Sequence, residues 1–245
     1  IGWKGGVAMI PPVKGLLFDF GGTLDTNGTH WGIVLQEAYR KAGFVIDEKS
    51  FREMYVNGER QLAARPVIAP EDTFDLVLKK KLALERNYGA EHGLLPDTSE
   101  TDRRLALIAD MCYTLARRNT TRIHPLLKKL KEKYAIALVS NFYGNLPAVL
   151  DDFGLNDCFE TVVESARAGV RKPDPAIFGL ALKALQLPPE ACAVVGDSYK
   201  NDIAPSRALG INTIWLKGRG WEPDNDNRPA GSIISDLTEL DTLLS

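Results

Sequence analysis

Four short, mostly apolar runs, at 13–18, 135–139, 191–195 and 212–216, constrain this chain more than any other feature in it. None shows the polar–apolar alternation of a half-exposed strand, and none is long enough to be a helix in its own right. Short continuous apolar runs that end in small or polar residues are the mark of strands buried on both faces. Val162-Val163 is a fifth, shorter candidate. Helical patterns at 125–133, 146–153, 175–185 and 201–209 fill the intervals between the later runs. Strand and helix alternating in this way predict an α/β fold, a Rossmann-like parallel sheet with helices on both faces.

The stretch 26–121 breaks that rhythm. It holds no convincing strand, and 31–41, 50–64, 71–87 and 101–118 read as four amphipathic helices. Ser50 with Glu53 has the form of a capping box, and Asp72 and Asp102 put negative charge near helix starts. The expected organisation is a core domain built from 1–25 and 122–245, with a helical-bundle cap domain inserted over 26–121. Linkers are expected near 25–29 and 119–124, with opening and closing about them.

Bulk properties exclude several classes of function. The chain has 245 residues, 44% of them hydrophobic and 25% charged, which is the balance of an ordinary globular protein. A net charge of −2 gives no electrostatic reason to expect nucleic acid or an anionic membrane as partner. The run Lys79-Lys80-Lys81 is expected to be a solvated helix face. No apolar run approaches the ~20 residues of a membrane span. The first ten residues lack the apolar segment of a signal peptide, and Met9 reads as a natural start. Cys112, Cys158 and Cys192 are far apart with no CxxC spacing, so reduced buried thiols and a cytoplasmic location are expected.

Asp19, Ser140 and Asp197 each sit just after an apolar run, where parallel sheets bind ligands. Four motifs fall in order around them: Asp19-Phe20-Gly21-Gly22-Thr23-Leu24, the run ending Val139-Ser140-Asn141, Gly169-Val170-Arg171-Lys172-Pro173-Asp174-Pro175, and Gly196-Asp197-Ser198-Tyr199-Lys200-Asn201-Asp202. Together they resemble the haloacid dehalogenase-like (HAD) hydrolases, and the helical insertion resembles that family's all-helical, C1-type cap. The resemblance implies a Mg²⁺-dependent phosphatase of small phosphorylated metabolites. In that reading Asp19 is the nucleophile that forms an aspartyl-phosphate. Ser140 and Lys172 bind the phosphate, and Lys172 also neutralises the carboxylates. Asp19, Asp197 and the backbone carbonyl of Gly21 hold Mg²⁺. Asp202 orients Lys172 or holds a metal-bound water. Backbone N–H groups of Phe20 and Gly21 cradle phosphate oxygens, and Asn141 contacts substrate. The chemistry is consistent, since phosphoryl transfer needs an in-line nucleophile, a hard cation and positive groups around the phosphate.

One position departs from the pattern. The family usually carries a second Asp two residues after the nucleophile, as general acid and base, and here that residue is Gly21. General acid–base help is typically worth ~10²–10⁴-fold, so slow activity biased toward good leaving groups is expected. Asp25, His30 and His124 are the available surrogates. The alternatives on this scaffold are a catalytically impaired phosphate-binding or interaction protein, a phosphonatase using a cap lysine (Lys49, Lys79, Lys80 or Lys81), and a 2-haloacid dehalogenase, against which the glycine argues. Arg52, Arg60, Arg65, Tyr55 and Trp31 are the cap residues considered for facing the substrate.

Overall fold

The computed structural model describes residues 12–64, 67–221 and 228–245. Arg65 and the first ten residues lie outside that set. Six strands, β1 (Gly15–Phe18), β2 (Ala135–Ser140), β3 (Thr161–Glu164), β4 (Cys192–Gly196), β5 (Asn212–Leu216) and β6 (Ser232–Ile234), form one sheet. Its order is β3-β2-β1-β4-β5-β6, and every pairing is parallel. Each of the four principal apolar runs forms most of a strand, and Val162-Val163 lies in β3. β6 was not anticipated: it is three residues long, at the sheet edge, with Ile233 exposed.

Alternation explains how β1 is buried on both faces. Leu16 and Phe18 point into one apolar cluster, shared with the long helix α4 (Ser99–Lys131). Leu17 points into a second cluster with Ile177, Phe178 and Ala181 of α7 (Ala176–Leu185). Successive side chains of a strand face opposite ways, so a central strand covered on both sides has no room for a polar residue.

Between β1 and β2 lie α1 (Trp31–Lys41), α2 (Glu48–Ala64), α3 (Phe74–Glu91) and α4. The side chain at the start of α2 is Asp47, whose Oδ1 accepts the Ser50 N–H at 3.0 Å. Ser50 therefore lies inside the helix, and the expected capping box is absent. The Lys79-Lys80-Lys81 run is not one solvated face either. Lys79 pairs with Asp75 in solvent, Lys80 pairs with Asp72, and Lys81 is buried.

The largest departure is α4, which runs unbroken through 119–124, where a linker was expected. Its buried residues, Leu105, Ile108, Cys112, Ala116, Thr120, Ile123, Leu127 and Leu130, keep a spacing of three or four across the whole length. Pro125 forfeits one N–H inside the helix, and the Thr120 hydroxyl donates back to the Ala116 and Arg117 carbonyls at 3.0 Å. Continuous burial outweighs both. The short helices α5 (Leu146–Asp152), α6 (Ser165–Ala168), α8 (Ala204–Ala208) and α9 (Leu240–Leu243) complete the layers. Among the described residues no helix is long and apolar enough to cross a membrane.

One apolar cluster extends from Leu16 and Phe18 of the sheet to Phe51 and Met54 of α2, through Ile108 and Ile123 of α4. Sheet and inserted helices therefore share a core. Truncating Ile108 to Ala is expected to cost about 2–5 kcal/mol. Urea denaturation followed by circular dichroism should show it as a lower midpoint with a single transition and an unchanged slope.

Candidate active site

The parallel register brings the motif residues to one sheet edge. Phe18 is level with Leu138 of β2 and Val195 of β4. Asp19 thus leaves β1 beside the ends of the strands that carry Ser140 and Asp197. This is the point where strand order reverses, the usual place for a ligand site in such sheets.

Lys172 is buried, and its Nζ donates to Asp19 Oδ1 at 2.7 Å and to Asp202 Oδ1 at 2.6 Å. Burial alone would lower its pKa, but the two carboxylates overcome that and push it up to about 12. Asp202 Oδ2 accepts the Ser198 N–H at 3.0 Å, so both of its oxygens are engaged and it holds Lys172 in place. Asn141 grips the backbone of the same residue, donating to the Lys172 carbonyl at 3.0 Å and accepting its N–H at 2.9 Å. Both ends of the amide expected to meet substrate are therefore spent on positioning the lysine. Ser140 is buried at the end of β2.

Thr23, which the motif reading passed over, sits between the other two acids. Its Oγ1 is 3.0 Å from Asp19 Oδ2 and 3.1 Å from Asp197 Oδ1, and it accepts the Asp197 N–H at 3.1 Å. One hydroxyl proton satisfies one carboxylate at a time. Burial pushes the Asp197 carboxyl well above the usual range, and the charges of Asp19 and Asp202 push it further. Carboxylate oxygens of Asp19, Asp197 and Asp202 lie within 4.8 Å of one another. Three acids against one lysine form a donor set with a deficit of positive charge, and a hard divalent cation fits it.

Glycines make the close packing possible. Gly22 has φ +94°, and a Cβ there would stand 2.6 Å from the Asp197 carboxylate oxygens. A Cβ on Gly196 would meet the Asp202 side chain at 2.5 Å. Gly21 is the opposite case: nothing lies within 4 Å of where its Cβ would be, and its φ of −75° suits any residue. The space for the missing side chain is open.

The surrogate acids separate. Asp25 is fully buried, accepting the Gly22 N–H at 2.7 Å and the Trp31 Nε1–H at 2.8 Å. Burial pushes its carboxyl up to about 7, with the charge of Asp19 adding to the effect. It is a fixed brace of the first-motif turn. His30 starts α1, its Nδ1 accepting the Gly32 N–H at 3.0 Å, and lines the cavity beside Gly21. His124 lies elsewhere, clustered with Asp157 and Cys158. Cys112, Cys158 and Cys192 are free and buried.

A cavity of about 170 Å³ opens above the motif turn, lined by Gly21, Gly22 and Asp197 below and by cap residues above. Trp31 and Tyr55 reach it, as considered from the sequence, whereas Arg52 lines a separate surface groove and Arg60 lines that groove and a second one bordered by Glu59 and Tyr143. Lys81, read from the sequence as part of a solvated face and as one of four candidate phosphonatase lysines, forms an ion pair in its wall with Glu59, which the sequence reading did not single out. The signal for Lys81 was its place among Val77, Leu78, Leu82 and Glu85 on the buried face of α3.

Behind that pair lies Glu85, fully buried, accepting the Tyr39 hydroxyl at 2.9 Å on Oε2, while Oε1 has no hydrogen-bond partner among the described residues. Burial pushes its carboxyl up from 4.5 to about 7, with Glu59 adding and Lys81 and Tyr39 opposing. Cys112, Tyr55 and Tyr143 are its other titratable neighbours, and all three stay neutral near pH 7. A carboxyl whose pKa is higher folded than unfolded binds more protons in the native state, so stability falls as pH rises from about 4.5 to about 7. Glu85→Gln is expected to remove this loss, worth up to ~3 kcal/mol. Urea midpoints at pH 5 and 7.5 should converge in the variant relative to wild type.

Comparison with known proteins agrees with the geometry. A family profile described as haloacid dehalogenase-like hydrolase matches residues 13–210. Haloacid dehalogenase-like hydrolase domain-containing protein 3 of Bos taurus is 40% identical over 88 residues, 36% of this chain and 35% of that protein. A phosphoserine phosphatase of Thermus thermophilus is 34% identical over 107 residues, 43% of each chain. The matched stretch thus spans less than half the length of these relatives. The HAD-hydrolase YfnB of Bacillus subtilis, solved bound to magnesium, superposes with a TM-score of 0.57 at 18% identity, over 96% of this chain and 100% of that one, a likeness of fold. With the profile covering most of the chain and all four motifs assembled at one sheet edge, the protein belongs to the haloacid dehalogenase-like hydrolase family.

Proposed function

We propose that the protein is a Mg²⁺-dependent phosphatase of small phosphorylated metabolites that works through an aspartyl-phosphate on Asp19. The observation that carries this reading is Lys172, fixed between Asp19 and Asp202 with Asp197 beside them. A buried lysine with two carboxylates next to a third is a costly arrangement for stability alone, and it is the charge pattern a phosphoryl group needs. The phosphatase name of the Thermus relative points the same way.

In this mechanism Lys172 and Thr23 hold the two oxygens of the Asp19 carboxylate, aiming it at phosphorus. Asp19 forms the O–P bond as the leaving-group oxygen departs with the bonding electrons, and water later cleaves the acyl phosphate, returning the carboxylate and inorganic phosphate. Lys172, Ser140 and the N–H groups of Phe20 and Gly21 surround the transferred group. Asp19, Asp197 and the Gly21 carbonyl would hold Mg²⁺, which supplies charge neutralisation on the phosphoryl oxygens when bound. No side chain at position 21 protonates the leaving group, so its intrinsic basicity sets the rate.

The phosphonatase alternative needs a neutral cap amine. Lys81 is the cap lysine in the cavity, but it is paired with Glu59, and a paired ammonium is a poor nucleophile. A phosphate-binding protein without turnover is the reading from another class.

Wild type is expected to release inorganic phosphate from acetyl and p-nitrophenyl phosphate only with Mg²⁺ present, and Asp19→Asn to abolish this. Tight Mg²⁺–beryllium fluoride binding without turnover across a broad phosphate panel would overturn the enzyme reading. Gly21→Asp has space for its side chain. It is expected to raise kcat on an alkyl phosphate by ~10²–10⁴ and on p-nitrophenyl phosphate far less. An equal change on both would show that proton transfer is not what the glycine removes.

A further inference from the structure

The cavity above the motif turn holds one charged pair that the chemistry proposed above does not use. Lys81 of α3 is 5% exposed and ion-paired with Glu59 of α2. The other Glu59 oxygen accepts the Tyr143 hydroxyl, from the loop after β2, at 2.9 Å. The Lys81 ammonium also lies over the Tyr55 ring, 3.9 Å from its centroid. Burial works against ionisation of Glu59, but the Lys81 ammonium and the Tyr143 hydroxyl outweigh it and hold the carboxyl below its ordinary value.

The pair joins a buried lysine to a glutamate whose side chain is 36% exposed, so the lysine's desolvation is a cost that an apolar residue in its place would avoid. At a cavity wall it does something apolar residues cannot, by presenting a donor and an acceptor side by side to whatever enters. Glu59 and Tyr143 also line an open surface groove of about 690 Å³, so these two stand between the inner cavity and the surface, with Lys81 on the inner side. Trp31, Phe74, Leu78 and Phe142 make much of the remaining wall apolar. The size limits the occupant: about 170 Å³ is close to the ~150 Å³ of a cavity that admits one benzene ring. A phosphoryl group and a few further heavy atoms fill it.

Charge limits the occupant further. Lys81 and Glu59 cancel, while Asp197 lines the floor of the same cavity, close to Asp19 and Asp202. A leaving group with its own carboxylate or second phosphate would add negative charge to a cavity whose lysine is already paired, while Arg60 and Arg171 line the groove outside it. A neutral oxygen does not. The Lys81 ammonium can donate to a hydroxyl or carbonyl oxygen, and the Glu59 carboxylate can accept from a hydroxyl.

We infer that Lys81, Glu59 and Tyr143 form a subsite that binds a neutral hydroxyl or carbonyl oxygen on the leaving group of a two- to four-carbon phosphomonoester. The inference rests on the phosphatase reading for its substrate class, and its test separates the two. Glycerol 3-phosphate and propyl phosphate share a phosphate and a three-carbon chain and differ in the hydroxyls. Wild type is expected to favour glycerol 3-phosphate in kcat/KM by at least ~10²-fold, below the ~10⁴ of a fully closed hydroxyl-binding site. Phosphoglycolate, with its carboxylate, should be the poorest of the three.

Lys81→Met and Tyr143→Phe should each reduce the preference, Lys81→Met to within about threefold, with the change in KM larger than that in kcat. The same preference is read as binding, by calorimetry with Mg²⁺ on Asp19→Asn protein alone and with each second substitution. This arm reports on the subsite even if wild type turns over none of the three. Tyr143→Phe deletes one hydroxyl and keeps the ring, so it remains informative if Lys81→Met does not fold. Turnover of acetyl phosphate with equal rates and equal affinities for the two three-carbon esters would overturn the subsite and leave the phosphatase reading standing. A hydroxyl preference unchanged in both variants would also overturn it.

Discussion

Three carboxylates cannot share one sheet edge without positive charge among them, and Lys172 is the positive charge this chain itself provides. The surrounding architecture serves that contact. Parallel register delivers Asp19 and Asp197 from neighbouring strands. Gly22 and Gly196 let the acids approach where any Cβ would collide. Asn141 holds the lysine by its backbone, and Asp202 holds it by its amine. An unpaired buried charge is far more costly than a paired one, so these contacts stand or fall together. Asp197 is left with no cationic side chain in contact among the interactions described, and there the donor set invites a metal.

The inserted helices repeat the theme at a lower charge density. Lys81 and Glu85 are buried, and Glu59, its side chain 36% exposed, stands beside Lys81 in the cavity wall. Glu59 keeps its charge because Lys81 is in contact with it, while Glu85, without a cation in contact, takes up a proton near neutrality. The two glutamates differ in exposure as well as in partner, and both differences favour charge on Glu59 and a proton on Glu85.

Much of this was legible in the chain. Short apolar runs announced the buried strands, and polar residues at their ends announced the site edge. β6 was not, because three residues at an edge leave too little pattern to distinguish from a turn. The unbroken α4 was missed because Pro125 and the β-branched run before it read as a helix boundary. The three- and four-residue spacing of Ala116, Thr120, Ile123 and Leu127 was the stronger signal. Site residues whose role depends on a distant partner were the hardest to see. Thr23 matters through Asp197, 174 positions away, and Lys81 through Glu59 and Tyr143. Asn141 was expected to contact substrate, and in the fold its amide is committed to the Lys172 backbone. His124 sits at a suggestive point in the chain and in the fold belongs to another cluster.

The continuity of α4 bears on how a substrate could enter. At 33 residues the helix is roughly 50 Å long. Its first half packs among α1 and α3, and its second half lies against the sheet. A lid tethered by two slack cords could swing freely; here one of the two tethers is a stiff rod embedded at both ends. Access to Asp19 then depends on flexing the rod, with Pro125 the natural point of compliance, or on rearranging the turn from Asp25 to His30 and the polar contacts around it. Traffic through the site would be set by the bending stiffness of a helix.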